Sequence, residues 1–317
     1  MSGQPTLPEA KAVRGRRRAR EEEEGIPRGI FSSGDMRKPS LRFAKFALIT
    51  CAIVGLLIAG LGPLLWLAKS AISSTTDIYG APLSLWPLSG AQWSNLWVAW
   101  TKIDIGGYAL NTVLIALGDV VASLIVTTTA AYVLAILRPR YGKVLNGAIM
   151  ATLFIPAVIS LVPLYLTVVR VPILNISLID SWWAVWLPGA ANAFYILIVK
   201  QYFESIPREL FEAARSDGCG VFRMLWSIVL PLSKPILGVL VLLAFMGSWK
   251  EFLWPLLVLP TPSRQPLSVA LARISETSDQ SLVIAGMFIA TFIPVLVFLL
   301  FQKQFLRGAG AAGAIKG

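Results

Sequence analysis

The sequence predicts an all-α membrane protein with six transmembrane helices and a short helical segment on the cytoplasmic side, between spans four and five. Three observations carry that prediction. Hydrophobic residues make up 56% of 317 and mean hydropathy is +0.70, while charged residues are only 14%, against about 25% in an ordinary soluble domain. The apolar residues gather in blocks of about 20, long enough to cross the hydrocarbon core as helices. The basic residues flank those blocks unevenly.

Residues 1–45 are polar, with Arg14, Arg16, Arg17, Arg18 and Arg20 followed by Glu21 to Glu24. Such a segment buries too little apolar surface to offset its ordering entropy and is expected to be disordered. The paired arginines invite a signal-peptide reading. The next apolar block is too long for that and no small-residue cleavage site follows, so it is read as a retained anchor. The spans are placed at 46–68, 110–137, 146–168, 182–201, 236–258 and 282–302, making 46–317 one membrane domain. The second is long enough to tilt or to extend into water. The fourth holds Pro188 and Gly189, so neighbouring helices must satisfy its freed backbone groups.

A net charge of +11 would suggest nucleic acid in a soluble protein. Here it sets orientation instead, and no nucleic-acid partner is expected. With the N-terminus in the cytoplasm, 22 of the 28 basic residues lie inside, five outside, and Lys250 within span five. Both termini are then cytoplasmic. The outer segments 69–109 and 259–281 are long enough to fold against a partner. The first carries Trp86, Trp93, Trp97 and Trp100, which suit either a loop resting on the outer leaflet or a binding platform. In the second, Pro260, Pro262 and Pro266 suit a stiff, projecting loop, or a plain connector.

Several function classes are excluded. Two cysteines and no histidine leave little for a zinc site or a histidine-based triad, and no metal is expected. Thr50 before Cys51 makes a poor lipoprotein cleavage site. No Gly-rich phosphate loop ending in Gly-Lys-Ser/Thr is present, so the chain is not expected to hydrolyse ATP. The ionisable residues in the spans, Asp119, Lys250 and Glu251, are too scattered for an enzyme active site. An ion pair of Lys250 with Glu251 at the outer end and a place on a solute pathway are both open.

The most informative stretch is 204–234. Ser205 is a plausible N-cap and Pro207 suits a first turn. Glu209 favours the helix N-terminus. Leu210, Ala213 and Ala214 fall on one face, where small residues let another protein approach. Gly218 is a natural left-handed stop, and a second helix runs from Val221 toward Pro231. The exposed carboxylates of Glu212 and Asp217 argue against a helix that merely rests on anionic headgroups.

Glu212-Ala213-Ala214, then three residues, Gly218, nine residues, Ile228, one residue and Leu230-Pro231 resembles the signature loop of ABC importer permeases. Tyr108 to Thr112, Ala130 to Ala135, Ile155-Pro156, Val162 to Tyr165 and Pro255-Leu256 resemble the shorter, six-span subunit of the maltose-type carbohydrate permeases, over residues 46–317. The resemblance implies a coupling helix that docks on an ATPase subunit, with Glu212, Ala213, Ala214, Asp217 and Gly218 as its core and Ile228, Leu230 and Pro231 completing the loop. It implies a second permease subunit, a dimeric P-loop ATPase holding ATP and Mg, an extracytoplasmic solute-binding protein, and no cofactor on this chain. The C-terminal Gly313, Lys316 and Gly317 look like a tail that contacts the ATPase. Lys250 departs from the family, which usually has Asn there. Tyr165, Asn192, Trp249, Lys250 and Glu251 are candidates for a sugar or sugar-like solute, being aromatic or polar in or near spans. A permease for a glycerol phosphodiester, amino acid or phosphonate is the alternative, and a non-transport membrane scaffold the rival from another class.

Overall fold

The computed structural model describes residues 39–313. They divide into two compact units within the first helix, one ending at Leu64 and the other starting at Leu65. The tail expected to be disordered lies mostly outside the described residues, as do Lys316 and Gly317. Among the described residues every regular element is helical. Three helices are long and apolar enough to cross a membrane, and up to six spans result if each bent pair counts as one.

The first helix, Pro39–Ala71, runs 33 residues, about 50 Å at 1.5 Å per residue. Phe46, Leu48, Ile53, Leu56, Leu57 and Leu61 along it are all exposed. A helix apolar on every side suits lipid as its solvent.

The second unit is organised around Ile105–Leu137. Asp104 opens that helix from a left-handed backbone (φ 59°), its carboxylate accepting the Gly107 N–H. The last turn, Val133–Leu137, widens to a π-helical turn and stops at Arg138 (φ 46°). Much of its buried face is small or polar, including Ala109, Thr112, Ala116, Asp119, Ser123 and Thr127 beside the larger Ile105, Ile115, Val120 and Tyr132. Small residues let helices approach closely where the surrounding solvent is apolar. Helices Trp183–Ala190, Ala193–Glu204 and Lys234–Lys250 pack on it, and Gln280–Gly313 packs on Lys234–Lys250.

Three of the six predicted spans are not continuous, and a proline four residues downstream explains two of the breaks. Proline lacks an N–H and its ring clashes with the carbonyl four residues back. Predicted span 146–168 is two helices, Gly142–Thr152 and Ala157–Val169, bent by 108°; Thr152 is four residues before Pro156. Predicted span 236–258 leaves its helix at Glu251 and resumes at Leu253–Val258; Glu251 is four residues before Pro255. The Glu251 carbonyl is taken instead by the Ser268 hydroxyl at 2.8 Å. Predicted span 182–201 bends by 46° between Trp183–Ala190 and Ala193–Glu204, where Asn192 caps the second helix by accepting the Tyr195 N–H. Pro188 frees the Ala184 carbonyl, and the Trp254 indole donates to it at 2.8 Å.

The long segments between the spans carry helices of their own. Residues 259–281 do not project as a stiff loop. Helix Leu267–Ile274 turns back and buries Leu267, Val269, Ala270, Leu271 and Ile274. Asn111 donates to the Ser263 and Gln265 carbonyls, and the Leu267 N–H donates to the Thr112 hydroxyl at 2.7 Å. Residues 72–104 form helices Thr75–Gly80 and Ser94–Lys102, leaving Trp86, Trp93, Trp97 and Trp100 exposed.

Asp77 clamps the 72–104 segment by accepting the Ser89 N–H and hydroxyl, both at 2.9 Å. The Ser89 backbone N–H is the leading cause holding this carboxyl below the usual carboxylate range. A depressed folded-state pKa contributes stability above the unfolded value that is lost as pH falls through the folded one. Amide exchange at Ser89, corrected for intrinsic rates, should therefore stay flat down to the ordinary carboxylate value of 3.8 and rise only below it. Asp77→Asn should raise exchange at neutral pH and remove that acid dependence. An unchanged profile in the variant would show that the clamp does not order the segment.

Candidate functional site

Helix Arg208–Ser216 is short and strongly two-faced. Ser205, expected as its N-cap, instead closes the preceding helix, its hydroxyl donating to the Tyr202 carbonyl at 2.7 Å. Pro207 takes the cap position with extended backbone. Gly218 stops the helix at φ 75°. The Gly218 N–H donates to the Arg215 carbonyl at 3.0 Å and the Cys219 N–H to the Ala214 carbonyl at 2.9 Å, the paired bonds of a left-handed glycine cap.

Phe211 and Ala214 turn inward, into a cluster with Tyr132, Phe203, Met224 and Val229. Leu210, Glu212, Ala213, Asp217 and Gly218 face outward. The shared face expected for Leu210, Ala213 and Ala214 is thus divided: Ala214 serves the core, and Ala213 with Leu210 forms the surface. Ile228 and Leu230 are half-buried against the same cluster, whereas Pro231 is exposed. Tyr132 donates to the Val221 carbonyl at 3.0 Å and Tyr202 to the Leu232 carbonyl at 3.3 Å, bracing Val221–Leu232. That stretch meets Lys234–Lys250 at 82°. Beside the outward face lies a cavity of about 260 Å³ lined by Arg138, Glu204, Arg208, Glu212 and Arg215. Lys200 pairs with Glu204 at 3.1 Å.

A second, larger cavity of about 470 Å³ opens among the broken helices. Asp119, Asn192, Tyr195, Ser248, Glu251 and Trp254 supply its polar lining. The breaks position these groups. Glu251 sits where Lys234–Lys250 ends, one carboxylate oxygen accepting the Trp254 N–H at 3.2 Å. Asn192 caps Ala193–Glu204. Asp119 reaches the wall because Gly189, opposite, has no side chain; a Cβ there would collide with the Asp119 carboxyl.

Of the five residues singled out for solute, the cavity gathers Asn192 and Glu251. Tyr165 packs instead with Ile115, Val168 and Ala184, and Trp249 stacks on Phe245 with ring centres 5.7 Å apart. Lys250 is exposed and does not line the cavity. No ion pair joins Lys250 and Glu251. Tyr195 and Ser248 escaped notice, and Asp119, noted as an ionisable residue within a span, was not among the five. Among the described residues no cluster of His, Cys, Asp or Glu could hold a metal. Gly313 ends the last described helix.

Residues 123–307 match the family of binding-protein-dependent transport system inner membrane components. The chain is 31% identical over 266 residues to UgpE of Yersinia pestis, the sn-glycerol-3-phosphate transport system permease protein, covering 81% of this chain and 92% of that one. The fold is similar to a chain of a bacterial ABC transporter involved in the import of the acidic polysaccharide alginate, with a TM-score of 0.70, 24% identity, and coverage of 87% of this chain and 99% of that chain. A bacterial alginate ABC transporter in complex with an alginate pentasaccharide-bound periplasmic protein gives a TM-score of 0.60 at 14% identity, covering 85% and 95%. The chain belongs to the binding-protein-dependent transport system inner membrane components, and is an ABC importer permease, a transport subunit and not an enzyme.

Proposed function

We propose that this chain pairs with a second permease subunit in the bacterial cytoplasmic membrane and carries a sugar or sugar-like solute inward by alternating access, driven by a separate dimeric ATPase that holds the ATP and Mg. The carrying observation is helix Arg208–Ser216, which exposes Leu210, Glu212, Ala213 and Asp217 and ends at left-handed Gly218, within the family-matched residues. This helix is the coupling helix of the 204–234 loop, and its outward face docks on the ATPase. Ala214, Ile228 and Leu230 transmit force by packing, not by touching the partner. The C-terminal Gly313, Lys316 and Gly317 are a further ATPase contact.

In this arrangement residues 46–317 cross six times with both termini cytoplasmic, and 1–45 form a tail outside the permease domain. Lys234–Lys250 spans only about 25 Å, short of the roughly 30 Å core, and Leu253–Val258 completes the crossing. The solute-binding protein docks on the opposite face, on 69–109 and the 259–281 segment. Sugar-like solutes are supported by an aromatic-and-amide cavity wall at Trp254, Tyr195 and Asn192.

The test is a mild-detergent capture of this chain from its native membrane. A second multi-span permease and a P-loop ATPase should come with it. A chain recovered without an ATPase would overturn the proposal and favour the scaffold reading.

A further inference from the structure

We infer that Asp119 and Glu251 make the 470 Å³ cavity a selective solute contact that takes a neutral or cationic polyol, such as a glycoside or an amino sugar, and disfavours phosphate and carboxylate solutes. This rests on the permease reading above and goes beyond it by assigning the site and its charge preference. Asp119 is only 8% exposed, and its Oδ1 is sealed from solvent with no hydrogen-bond partner. A buried polar group without a partner is costly in proportion to its charge, and a titratable group inside a span points to a pathway. Asp119 also has no ion pair. Gly189 leaves it the room it occupies.

The rest of the lining is consistent with one kind of guest. The Ser248 hydroxyl is likewise buried without a partner. Glu251 commits one oxygen to the Trp254 N–H and stands exposed on the cavity wall. Tyr195 already donates its hydroxyl to the Leu243 carbonyl at 3.2 Å, leaving its oxygen to accept. Asn192 already accepts the Tyr195 N–H, so what it has left to offer is its amide donors, set against the two carboxylates. The free capacity is therefore dominated by acceptors, which match the hydroxyl and ammonium donors of a polyol. The charged groups of the lining are Asp119 and Glu251 alone. A phosphate or uronate would bring a like charge to them, an arrangement that selects against a partner.

The experiment uses the assembly captured through this chain, in nanodiscs, with binding read by saturation-transfer NMR. The probes are methyl α-D-glucoside, glucosamine, glucuronate and glycerol 3-phosphate. The first two should bind at least tenfold more tightly than the last two. Asp119→Asn should weaken glucosamine about tenfold, and Glu251→Gln should narrow the discrimination against glucuronate. Because Glu251 is exposed, its variant remains informative if Asp119→Asn folds poorly. Anions binding as tightly as the glucoside, no probe binding, or both variants keeping the wild-type order would each overturn the inference. ATPase recovery with wild type and both variants is scored in parallel. Its retention separates failure of this inference from failure of the permease reading.

Discussion

Gly118→Leu should strongly destabilise the helical bundle, while the same change at Gly147 should be neutral or better. A Cβ on Gly118 would fall within the Trp186 indole. That indole cannot step aside freely, because its N–H donates to the Ile115 carbonyl at 2.9 Å and its ring packs edge-on to Trp183 at 5.1 Å. Overpacking in a tight core typically costs 1–3 kcal/mol, occasionally more; with the Trp186 bond also broken, the expected loss is about 3 kcal/mol or more. Gly147 has nothing within 4 Å of its added Cβ, so replacing it with leucine should add up to about 1 kcal/mol of helix propensity. Thermal unfolding in detergent reads both. Equal midpoints for the two variants would show that Trp183–Ala190 does not depend on close approach to Ile105–Leu137.

The second large effect separates neighbours. Ala213→Trp should leave insertion and thermal stability near wild type, because Ala213 is exposed. It should lower ATPase recovery more than tenfold, the loss of about 2 kcal/mol typical of a residue near an interface centre. Ala214→Trp should do the reverse first. Ala214 packs against Phe203, Phe211 and Met224, and a large ring there should destabilise the fold by roughly 1–3 kcal/mol before any docking is measured. If Ala213→Trp captures the ATPase as well as wild type, the outward face of Arg208–Ser216 is not the docking surface.

The contrast between these two alanines shows where sequence and structure part. The left-handed stop at Gly218 and the apolar blocks were legible, because each depends on local backbone chemistry or on composition. A three-residue spacing does not say which side of an amphipathic helix meets its own core. Phe211 decides that for Ala214, and its partners Tyr132 and Phe203 lie on other helices. Hydropathy averaged over 20 residues is likewise blind to direction, so it merged Gly142–Thr152 with Ala157–Val169, although Pro156 marked the break. The larger cavity depends on Asp119 meeting Gly189 and on Glu251 meeting Trp254 after a break. Tyr165 and Trp249 looked chemically apt, but they were spent on packing. Residues 259–281 folded back through Asn111 and Thr112, far away in sequence, which no local stiffness from proline could reveal.

The bond from the Trp254 indole to the Ala184 carbonyl ties the histories of two distant codons together. That carbonyl is available because Pro188 cannot claim it. A lineage that replaced Pro188 with an ordinary residue would return the carbonyl to its own helix and strand the buried indole N–H. A lineage that lost Trp254 first would strand the carbonyl. Either order passes through an intermediate with one orphaned polar group, so these two positions should change rarely, and when they change, as a pair.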